Sequence, residues 1–178
     1  MVMAVDTYRD AIQSAYVGEI VGEHLYRALA RRCADPGQQS KFNAIADVER
    51  LTHQRLQPIA DRLQIEPVEA QWQAVVDRRT LEIAALAWAD FIAQALEKWP
   101  PYIAQFESLA AMAPQSDTAV LKLLVDHEVA LVRFARAEND STGNDSSGSD
   151  ASLEILHAFL ERRGGNQRPI SRLKFPPR

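Results

Sequence analysis

A single cysteine, seven glycines and a slight deficit of positive charge are what this 178-residue chain has little of. Cys33 alone closes no internal disulfide, so a reducing, cytoplasmic setting is expected. No run of about 18 apolar residues occurs, so no membrane-spanning helix is expected. Met1 to Asp10 has no basic start leading into an apolar core and does not read as a secretory signal. With 20 Lys plus Arg against 24 Asp plus Glu, net −4, the chain lacks the positive excess that displaces counterions from nucleic acid. Glycine is scarce where alanine and leucine are plentiful, which favours helices over turn-rich β structure. The 47% hydrophobic and 25% charged content is that of an ordinary soluble domain.

Prolines and apolar spacing divide the chain into helices. Val5 to Arg32 holds no proline and repeats its apolar residues at helical spacing; Asp35-Pro36-Gly37 ends it. A second helix is expected from about Gln38 to Leu63, kinked at Pro58 and antiparallel to the first because the connection is short. A third is expected over roughly Trp72 to Lys98, with Leu81, Ala85, Trp88, Ile92, Ala95 and Trp99 as its apolar face and Asp90 opposite. Pro100-Pro101 breaks it and opens a shorter helix through Met112. After a turn at Pro114 to Asp117, a fourth long helix spans Thr118 to about Glu138. The fold class is therefore all-α, an up-down four-helix bundle with one longer crossover, over residues 1–138. Residues 139–152, poor in apolar side chains, read as a flexible acidic Ser/Gly/Asp linker. Residues 153–178 supply a short amphipathic helix, with Leu153, Leu156, Phe159 and Leu160 on one side, and then a basic tail.

Several polar residues fall on faces that should be apolar. At 100° per residue, Val5, Tyr8, Ile12, Ala15, Tyr26 and Ala30 centre on Glu19, with Glu23 one turn on and His24 pointing away. Phe42, Ile45, Leu56, Ala60 and Leu63 centre on Glu49, with His53 four residues further. Leu123, Leu124, Leu131 and Phe134 surround His127, with Glu128 at the edge. Carboxylates and imidazoles converging inside a bundle suit iron, manganese or zinc. They also suit a buried hydrogen-bonded cluster in which each carboxylate has a histidine or tyrosine partner, Tyr8 and Tyr26 being the nearest hydroxyls.

The wording of these segments resembles a known family. Gly18-Glu19 and Gly22-Glu23 in AYVGEIVGEHLYRAL, Glu49 and His53 in DVERLTHQRL, and Asp126-His127-Glu128 in LVDHEVALVRFARAE are similar to the ferritin-like superfamily of rubrerythrins and di-iron carboxylate oxidases. The likeness is closest to small bacterial ferritin-like proteins and covers about Val5 to Glu138. It implies a ferritin-like bundle, iron or manganese ahead of zinc, and oxidoreductase chemistry. It carries Glu19, Glu49, His53 and His127 over as metal ligands, with Glu23 and Glu128 as second choices. The chain departs from the family's Glu-x-x-His pattern: Thr52 stands three residues after Glu49, and Leu124 three before His127.

Two functions follow as expectations. One is a metal-binding oxidoreductase with a carboxylate-histidine site inside the bundle. The other is a non-catalytic, metal-free helical bundle acting as a dimeric binding or interaction module. A homodimer is expected under both.

Overall fold

Asp35 settles where the first two helices part. Its carboxylate accepts from the Gln38 backbone N–H at 2.8 Å, and Pro36 follows in the first helical turn, where no backbone donor is needed. The computed structural model describes residues 2–141 and 148–164, which form helices and no strand. α1 is Val2–Arg32 and α2 is Pro36–Arg62, running on through Pro58. They pack along each other as the short connection requires. α2 ends in a Schellman motif: Gln64 sits at φ 54°, and the Ile65 and Gln64 amides donate to Ala60 O and Asp61 O. Arg9 of α1 donates to the Leu63 and Gln64 carbonyls, sealing that turn.

The expected third helix is two helices, α3 (Glu69–Ala84) and α4 (Trp88–Lys98). No proline or glycine marks the break. The cause lies in what each half buries. α3 packs on α1 through Val76 and Thr80, whereas α4 packs on α6 through Phe91, Ile92 and Ala95. Those two stripes lie about a quarter turn apart on a continuous helix, so one straight rod cannot serve both. Leu81, placed on the expected apolar face, is 60% exposed. Asp90 is exposed, as expected.

α5 is Pro100–Ala111, α6 Thr118–Ser141 and α7 Gly148–Gly164. Pro100 and Pro101 open α5 as anticipated. The expected linker is much shorter than its composition suggests, because α6 and α7 extend into it from both sides. Glu138 and Ser152, at its ends, are buried and bonded to each other. Residues 142–147 and the basic tail, 165–178, lie outside the described residues. α7 is part of the same core, with Leu156 and Phe159 buried and the helix packed on α6 and α2.

The core has three layers. One apolar cluster holds Ile12, Leu56, Phe106 and Leu124; the other holds Leu25, Ile45, Ile92, Leu131 and Phe134. Along α1, α2 and α6 the residues between these clusters are Glu19, Glu49, His127 and Glu128, all buried. No described helix is long and apolar enough to cross a membrane.

Candidate metal centre

His127 is the pivot of the polar layer. It is fully buried on α6, and its Nδ1 donates to the Leu124 carbonyl one turn back, at 2.5 Å. That bond fixes the tautomer and leaves Nε2 as a bare lone pair. Three carboxylates face it: Glu19 Oε2 at 3.4 Å, Glu128 Oε1 at 3.6 Å and Glu49 Oε2 at 3.9 Å. Glu19, Glu49 and His127 each offer a ligand atom, all within 4.8 Å of one another. Nε2 of His127, Oε2 of Glu19 and Oε2 of Glu128 have no hydrogen-bond partner.

Such a cluster is unfavourable without a compensating positive charge or shared protons. Burial, reinforced by the Glu128 charge, pushes the Glu19 carboxyl up to about 8, against hydrogen bonds from Glu49 and Thr52. Burial and the neighbouring Glu19 hold Glu49 well above the usual carboxylate range. Glu128 is raised by burial and by Glu49. Burial drives His127 down to about 4, so the imidazole is neutral at physiological pH.

The surroundings hold the ligand atoms in place. A Cβ at Gly22 would lie 2.7 Å from Glu49 Cδ and 2.8 Å from its Oε2. Gly22 is therefore the notch in α1 that admits the Glu49 carboxylate. Phe106 of α5 packs beside the His127 ring, with centroids 6.0 Å apart.

The expected residues divide into two groups. Glu19, Glu49 and His127 come together, and Glu128, a second choice in the sequence, stands with them. His53 does not join them, although it lies one turn from Glu49. Its Nδ1 sits 3.0 Å from Glu23 Oε2, in a half-buried pair of its own. Burial lowers the His53 pKa, and the Glu23 charge opposes that. Tyr8 does not reach the carboxylates either: its hydroxyl donates to Asp117 Oδ2 at 2.7 Å, in a buried network with Arg62 and Ser116. Phe106 and Arg79, whose charge bears on Glu49, carry no signal in the sequence, and Gly22 enters there only in the wording of the resemblance, with no role of its own. A glycine inside an otherwise regular helix was the available signal for Gly22. No family model, curated protein or solved structure matches the chain.

Proposed function

We propose that the protein is a ferritin-like, metal-binding oxidoreductase in which Glu19, Glu49 and His127 hold one divalent first-row metal ion, with Glu128 beside it. The observation that carries this reading is the bare Nε2 of a fully buried, neutral histidine, facing three carboxylate oxygens. A backbone carbonyl on Nδ1 is the usual outer partner of a metal-bound imidazole. One nitrogen with several carboxylate oxygens suits iron, manganese or zinc. Iron or manganese bound there would supply one-electron chemistry towards dioxygen or peroxide. Glu19 and Glu49 would give up their shared proton to neutralise the ion, and Glu128 would remain beside it to take or return a proton. The flanking apolar clusters cover these groups on two sides.

A second reading is favoured by one observation. Glu19 and Glu49 are paired with each other and both raised by burial, which lets the layer exist as a metal-free, proton-sharing cluster in a dimeric interaction module. Metal analysis separates the two. Chain purified without chelator or histidine tag, then incubated with Fe(II), Mn(II) or Zn(II) and desalted, should retain one ion per chain. Retention below a tenth of an ion with all three would leave the metal-free reading.

A further inference from the structure

Between α1 and α5 the bundle stands open. A cleft of about 1090 Å³ lies there, with α3 over it and Glu19, Glu49 and Glu128 among its lining residues. That is more space than an ion and its waters need, and it is of the size that holds a small organic molecule. Trp72, Trp99, Tyr102 and Phe106 contribute aromatic surface to its walls. Gly18 keeps the α1 side clear, since a Cβ there would meet no atom within 4 Å.

The charges in the cleft are unevenly arranged. Asp10, Glu66 and Glu97 line it but are solvent-exposed, where water and salt screen them. Arg79 and Lys98 line it too, and both also line an adjoining cavity of about 110 Å³ with Tyr26 and Trp99. Lys98 bonds to Gln94. Arg79 is partly buried and makes no ion pair or hydrogen bond among the described residues, acting on Glu49 and Tyr26 only through space. A planar guanidinium in that state is a ready partner for a carboxylate, which it can grip with two parallel bonds.

We propose that the cleft binds an aromatic organic acid, its carboxylate on Arg79 with Lys98 nearby and its ring against Trp72, Tyr102 and Phe106. The orientation follows from the cations: Arg79 and Lys98 hold the carboxylate, and the proton-holding Glu19, Glu49 and Glu128 offer an anion no positive charge, so the ring end of the ligand faces the candidate metal centre. This inference names the ligand class of that same site and rests on the reading given above for what the ligand meets there.

Two fluorescent dyes with the same rings test it. 1-Anilinonaphthalene-8-sulfonate carries an anionic group, and N-phenyl-1-naphthylamine carries none. Titrations in chelator keep the result independent of whether metal binds. The wild type should bind one anionic dye per chain, displaced by 2-naphthoate at lower concentration than by decanoate. Arg79→Gln should weaken the anionic dye about tenfold, a difference of roughly 1.4 kcal/mol, and leave the neutral dye unchanged. Arg79→Lys should recover part of the loss. Gly18→Trp, which puts a large side chain into the cleft from its α1 wall, should weaken both dyes, and it decides the matter if Arg79→Gln does not fold. Unchanged dye affinities in Arg79→Gln, with only its melting temperature or metal affinity altered, would show that Arg79 merely balances the acidic layer and would overturn the proposal. Dye affinities left unchanged by Gly18→Trp, or decanoate displacing better than 2-naphthoate, would overturn it as well.

Discussion

Gly18 and Gly22 stand one turn apart on α1 and differ in what a methyl group would meet. At Gly18 it would meet nothing, and at Gly22 it would meet the Glu49 carboxylate. Gly18→Ala should therefore stabilise by about 0.5–1 kcal/mol, the ordinary gain of alanine over glycine within a helix. Gly22→Ala should forfeit that gain, displace Glu49 and weaken metal binding at least about tenfold. Urea unfolding and metal titration of the two variants check the contrast; equal behaviour would mean that Gly22 is no notch. At this scale the sequence was partly legible. Helical angles brought Glu19, Glu49 and His127 to a common interior because a buried face is a property of one helix at a time. They could not exclude His53, because which of two residues on one face turns to which neighbour depends on the opposite helix. There Glu23 offers His53 a partner, and Gly22 offers Glu49 an opening.

Elements were legible where local chemistry ends them and obscure where packing does. Asp35-Pro36 and Pro100-Pro101 are written in the chain, and both boundaries stand where they were expected. The α3–α4 break is not, because it answers to two partners, α1 and α6, that lie far away in sequence. The ends of the expected linker are helical for a similar reason. Glu138 is polar, but it accepts from Lys41 and Trp88 at 2.8 Å each and also from Ser152. This ties α2, α4, α6 and α7 together, so the polar residues at these ends are buried and not solvated. α7 should accordingly behave as core. Leu156→Ala is expected to cost roughly 2–5 kcal/mol in urea unfolding, in the same single transition as the rest of the chain. A loss below about 0.5 kcal/mol, the range of surface changes, would make α7 an appendage.

At the scale of the whole molecule, a polar layer lies between two apolar clusters, and the stability of the protein should depend on what neutralises that layer. Glu19, raised to about 8, and Glu49 and Glu128, also raised, keep protons in the metal-free fold that the unfolded chain has already released. Metal-free stability must therefore fall as pH rises towards 8. His127, lowered to about 4 from 6.5, acts in the opposite sense and removes stability as pH falls below 6.5. Between pH 6.5 and about 8 the carboxylates act alone. A metal ion should reverse their slope there by replacing the protons.

The most direct measurement is a melting series at pH 8 of wild type and Glu49→Gln in chelator, Mn(II), Zn(II) and anaerobic Fe(II). Wild type should gain stability with the logarithm of metal concentration, about 2.7 kcal/mol at one hundred times the dissociation constant, or roughly 5–10 °C for a chain of this size. Glu49→Gln should show no such gain and should melt at or above wild type in chelator, because the amide, unlike the carboxyl, has no proton to lose inside the buried layer. Wild-type curves that stay flat in every metal, with Glu49→Gln melting lower throughout, would contradict the account.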